Sequence, residues 1–180
     1  MSLFSPFFNY ISFLKSIKSS NLKKIVFFSE SRNYRNYLKD LIEILDVQPE
    51  ITVFYITSDV KDTENISDNI KPIYIGSGFF RALLFSLIKC EMVIMTLTDL
   101  GNHEIKRSKY CKNYVYIFHS LVSTHKCYTQ SAFKNYDIIL SNGEYQKKEL
   151  EYAEKIFNYK KKKIFNTGYL YLQELQKNKK

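Results

Sequence analysis

The chain contains no tryptophan and only three cysteines, three prolines and five glycines in 180 residues. Three cysteines (Cys90, Cys111 and Cys127) make an odd set with no short pairing. That excludes a small disulfide-built scaffold and points to free thiols in a reducing cytoplasm. A zinc site assembled from Cys111, His119, His125 and Cys127 is disfavoured because the spacing fits no ligand pattern, so no metal is expected. The scarce glycines form neither a Gly-x-Gly-x-x-Gly turn after the first strand nor a Gly-x-x-x-x-Gly-Lys phosphate loop. Gly76-Ser77-Gly78 is a lone pair, expected to cap the helix that follows. A nucleophile elbow is also missing, and no cofactor is expected. No Pro- or Gly-rich linker and no internal repeat divides the chain. No apolar run reaches the roughly 20 residues that a membrane span requires.

What is present describes a folded protein. Hydrophobic residues make up 45% and aromatics 16%, with 15 Tyr and 14 Phe, whereas disordered chains are poor in aromatics. The formal net charge is +9. From Lys147 to Lys180 there are ten lysines against four acids. Such a run reads first as a solvated face, and beyond that as attraction to an anionic membrane surface or a phosphorylated substrate. Nucleic acid is not expected as a partner, because no recognition module accompanies the charge. Residues 1–20 read as an amphipathic amino-terminal helix, with Leu3, Phe7, Tyr10, Leu14 and Ile17 at helical spacing. It is expected to dock on its own domain or a partner, or to lie in a membrane interface with Lys15 and Lys18 near the headgroups. The start lacks the basic residues and cleavage site of a signal peptide. The expected location is therefore cytoplasmic, peripheral at the inner face of the cell membrane.

Residues 21–180 alternate strand, turn and helix. Short apolar runs at 24–28, 51–56, 72–75, 92–97, 114–118, 137–140 and 163–166 predict seven strands. Amphipathic or apolar stretches at 34–45, 79–89 and 144–157, and a last one after Gly168, predict helices. Strands apolar throughout, rather than alternating, are those buried on both faces of a parallel sheet. The fold class is therefore α/β: doubly wound, mainly parallel and Rossmann-like.

In such sheets ligands bind beyond the carboxyl ends of the strands, which singles out the segments 29–33, 96–107, 119–129, 141–144 and 167–169. The richest is 118–126. There an apolar strand ends directly in His119, followed by Ser120, Ser123, Thr124, His125 and Lys126. An imidazole on a rigid strand end can take a proton near neutral pH. The hydroxyls, the second histidine and the lysine are the candidate substrate-binding groups.

Taken together, 114–120, Ser123-Thr124-His125, the run 133–143 and Thr167-Gly168-Tyr169 resemble the CDP-glycerol glycerophosphotransferases. The likeness runs from about Tyr110 to Leu175. It departs at Ser120, where the family has glycine, and at Leu170, where it has proline. The resemblance implies the amino-terminal, acceptor-side half of a two-domain GT-B architecture. It implies that His119 is the base that deprotonates an acceptor hydroxyl, which attacks the β-phosphorus of a CDP-glycerol-type donor and displaces CMP. The acceptor would be a phosphorylated or polyol chain of a cell-surface polymer, as in teichoic acid biosynthesis. The family binds its donor in a second half that these 180 residues do not contain. The chain is therefore expected to be a split gene product, a fragment or a stand-alone domain. A sugar-transferring GT-B half, and a non-catalytic transferase-like domain serving as a membrane or protein interaction module, are the alternatives.

Overall fold

A computed structural model describes residues 5–19, 21–102, 105–169, 171–172 and 176. Seven parallel strands form one sheet: β1 (Lys23–Ser29), β2 (Ile51–Thr57), β3 (Ile73–Tyr74), β4 (Cys90–Met95), β5 (Cys111–Ile117), β6 (Ile138–Ser141) and β7 (Lys163–Asn166). Their order across the sheet is β3-β2-β1-β4-β5-β6-β7. All the pairings are parallel. This is the doubly wound order, which reverses direction between β1 and β4.

Helices among the described residues that accompany the sheet are α1 (Ser5–Ser19), α2 (Arg35–Asp46), α3 (Phe79–Leu87), the single turn α4 (Thr124–Cys127) and α5 (Glu144–Ile156). β1 shows why both faces need cover. Val26 and Phe28 point into one core with Phe13 and Ile17 of α1, Leu84 and Phe85 of α3 and Leu150 of α5. Ile25 and Phe27 point into the other, with Leu38 and Ile42 of α2. α1 is thus built into the domain: Phe13 and Ile17 are buried, and Asn9 Nδ2 donates to the Tyr74 carbonyl at 2.9 Å. Leu3 and Phe4, Leu170, and most of the helix predicted after Gly168 lie outside the described residues.

Residues 96–102 and 105–110, between β4 and β5, are pinned as a loop. Asp99 accepts from Thr129 Oγ1 at 2.8 Å and Ser131 Oγ at 3.2 Å, and its N–H donates to the Ala132 carbonyl at 2.9 Å. Gly101 has φ +86, and a Cβ there would meet Asn135 Nδ2 at 2.7 Å, so this tight turn needs glycine. Gly78, at φ +66, caps α3.

Candidate functional site

The crevice where the strand order reverses is framed by the loop after β1, the end of β4 and the end of β5. His119 stands two residues past β5, following the buried Phe118. Its half-buried ring packs against Tyr34 at 4.8 Å between centroids and against Tyr37 at 6.1 Å. Both tyrosines belong to the segment that follows β1, so the imidazole bridges the crevice past the end of β4. From the far side the Tyr169 hydroxyl, after β7, donates to the His119 carbonyl at 3.4 Å and lies 3.3 Å from the Tyr37 hydroxyl. Tyr171 completes the aromatic wall, 5.1 Å from Tyr37. Burial among these rings holds the His119 pKa below its ordinary value. Its Nδ1 is buried with no hydrogen-bond partner among the described residues. A buried polar atom left this way marks a place where a ligand hydroxyl or a water would be accommodated.

The other residues marked in the sequence separate into two groups. Ser120 lies on the cleft side, its carbonyl accepting from Asn142 Nδ2 at 2.9 Å and tying the end of β5 to the turn after β6. Ser123, Thr124 and His125 instead converge on Glu149 of α5. Its carboxylate accepts from Ser123 Oγ at 2.6 Å, from the Thr124 N–H at 2.6 Å and from Thr124 Oγ1 at 2.7 Å. His125 Nδ1 lies 3.0 Å from it. Lys126 is exposed on α4. A phosphate at this group would therefore have to take the place of a carboxylate already held there. Burial acts to raise the Glu149 pKa. The bonds from Ser123 and Thr124 and the His125 charge outweigh it and bring it down to about 2.

The sign of that shift makes a prediction. A carboxyl whose folded-state value lies near 2, against an ordinary 4.5, adds stability above the ordinary value, and that stability is lost as pH falls toward 2. Glu149→Gln is expected to lower the melting temperature at pH 7 and to converge with wild type near pH 2. A constant difference across that range would contradict it.

Sequence reasoning passed over two features. Glu30, directly after β1, is partly buried at the crevice; burial raises its pKa against the opposing charge of Arg81. It lies in the segment 29–33, which its place after β1 marks as a whole, with nothing in the sequence to single out Glu30. A groove of about 430 Å³ lined by Arg32, Arg35, Lys39, Lys61, Glu64 and Tyr171 adjoins the aromatic wall. Those cations come from two segments far apart in sequence, so no run announced them. The four residues weighed as a zinc set do not share one place, because Cys111 opens β5 while His119 lies past its other end. Among the described residues no three His, Cys, Asp or Glu side chains converge as metal ligands.

No protein-family model matches the chain, and no curated protein matches it either.

Proposed function

We propose that this domain is the acceptor-binding half of a CDP-glycerol glycerophosphotransferase-like enzyme, with His119 as its general base. The observation that carries the reading is the placement of His119. Its ring stands at the carboxyl end of a buried strand, in the crevice where open parallel sheets bind ligands. It is walled by tyrosines and biased by burial toward the neutral form that can accept a proton. The acceptor hydroxyl loses its proton to the imidazole as its oxygen bonds to the β-phosphorus of the donor, and the bond to CMP breaks. The tyrosine wall suits the carbon-rich face of a polyol or sugar. The adjoining cationic groove suits a neighbouring phosphate, as Arg and Lys suit anions. Residues that bind the donor would come from a second, facing half.

Supplied with a donor-binding half, the domain is expected to release CMP from CDP-glycerol in the presence of a glycerol-phosphate acceptor. Release of nucleotide from a sugar donor instead, with CDP-glycerol inert, would favour sugar transfer.

We place this activity at the inner face of the cell membrane, held there peripherally. No helix among the described residues is long and apolar enough to cross a membrane. The support is α5, which carries Tyr145, Lys148, Tyr152 and Ile156 on one exposed stripe, with Lys155, Lys160, Lys161 and Lys163 exposed beside it. Each lysine near an anionic surface contributes about 1 kcal/mol. α1 contributes less than its sequence promised, since Tyr10, Phe13 and Ile17 are turned into the core. Sedimentation with liposomes should show binding to anionic vesicles that weakens with salt, and loss of binding when Lys148, Lys155 and Lys161 become glutamine. Equal binding to neutral vesicles would contradict it.

A further inference from the structure

We propose that Cys90 and Cys111 are a modification site, closing into a reversible disulfide at the amino edge of the sheet. Cys90 opens β4 and Cys111 opens β5, and the register sets them directly opposite one another. Neighbouring strands lie about 4.7–4.9 Å apart, inside the roughly 4.4–6.8 Å range of Cα separations that a disulfide bridges. The sulfurs are already 3.4 Å apart, with the Cys90 S–H donating to Cys111 Sγ. A side-chain rotation thus suffices, without backbone movement. Both residues are 6% exposed at the end of the sheet opposite His119, so the pair takes no part in the crevice.

The surroundings give the two thiols different roles. The Cys90 S–H and the nearby Arg107 charge favour the thiolate of Cys111, despite its burial, while the same hydrogen bond and burial hold Cys90 protonated. Cys111 is then the attacking sulfur. With a low-molecular-weight disulfide as oxidant, the Cys111 thiolate bonds to one of its sulfurs and expels the other half as a thiolate, which takes up a proton. The Cys90 proton leaves, and its sulfur attacks Cys111 Sγ, breaking the mixed disulfide and expelling the second thiolate, which is protonated in turn. Two protein thiols and one small disulfide become one protein disulfide and two small thiols. The bond closes the stretch from Cys90, through β4 and the connection after it, to Cys111, and so constrains the unfolded chain.

The test uses the full chain with Cys127→Ser, which removes the exposed third thiol, incubated with oxidised glutathione. Peptide mapping under non-reducing conditions should find Cys90 and Cys111 joined and two hydrogens lighter. The melting temperature should rise by about 5–10 °C, and dithiothreitol should reverse both changes. Adding Cys90→Ala should abolish both; if that variant does not fold, the mapping of the Cys127→Ser protein decides alone. Cys90 and Cys111 recovered as thiols that alkylate only after unfolding, or Cys111 arrested as a mixed disulfide with glutathione, would overturn the proposal.

Discussion

His119→Ala is expected to lower transfer from CDP-glycerol by about 10²–10⁴-fold, the usual cost of removing a positioned base, with fold and acceptor binding nearly intact. An alkoxide is hard to form near neutral pH, so the attacking hydroxyl needs a group that takes its proton as the new bond forms. His119 meets the geometric side of that requirement: its backbone continues the buried run Tyr114–Phe118 and its ring packs against Tyr34 and Tyr37. His125→Ala should cost much less. That ring is exposed and engaged with Ser123 and Glu149, a contact that shapes the segment following His119 without entering the crevice. The measurement is the rate of CMP release by each variant joined to a donor-binding half, with circular dichroism reporting folding. Equal losses in the two variants would assign the effect to the loop and not to a base.

The largest expected effect on stability is that of Asp62→Ala, about 3–5 kcal/mol, as when one partner of a buried ion pair is removed. The Asp62 side chain is fully buried, accepts from Tyr55 Oη at 2.6 Å and pairs with Arg35 Nη1 at 3.2 Å. Arg35 reaches on to the Asn65 carbonyl. One carboxylate therefore joins β2, the first turn of α2 and the 58–72 segment, which supplies Ile66 and Ile70 to the core beneath α2. Deleting it leaves the buried Tyr55 phenol without its acceptor and removes the buried counter-charge of Arg35, which keeps only the Asn65 carbonyl and the exposed Glu64. Urea titration should show a midpoint shift of that size. A shift below about 1 kcal/mol would mean that water replaces the carboxylate.

Asp62 also shows what the sequence could not convey. The stretch 57–69 reads as a polar loop, and nothing in its composition separates a buried aspartate from an exposed one. The strands were legible for the opposite reason. Runs such as Ile25-Val26-Phe27-Phe28 have no polar face, and only a sheet covered on both sides accepts them. Every strand was anticipated to within a few residues. β3 shrank to Ile73–Tyr74, and the strands β4 and β5 begin earlier than expected, at Cys90 and Cys111. Those early starts carry the cysteines into register, which is why the three thiols had seemed unrelated. At the site, His119 was legible because strand end and imidazole adjoin in the chain. Tyr169 lies in the marked segment 167–169, but its meeting with Tyr34, Tyr37 and Tyr171 around the ring was not legible, since these residues come from opposite ends of the sequence. The Ser123 and Thr124 hydroxyls adjoin in the chain, but the carboxylate they meet, Glu149, comes from α5, 25 residues from Thr124. Such long-range pairing leaves no periodic trace.

The central claim is that the neutral imidazole of His119 takes the acceptor's proton, and a pH profile tests it most directly. Burial lowers the pKa of His119 from an ordinary 6.5, so the required neutral form persists to more acid pH than for a free histidine. Transfer should therefore fall on the acid side through a midpoint below 6.5. That midpoint should coincide with the titration of the His119 ring followed by nuclear magnetic resonance in the same protein. In His119→Ala the acid limb should disappear from the residual rate. An acid limb that survives unchanged in His119→Ala, or a ring that titrates well away from the kinetic midpoint, would contradict the assignment of His119 as the base.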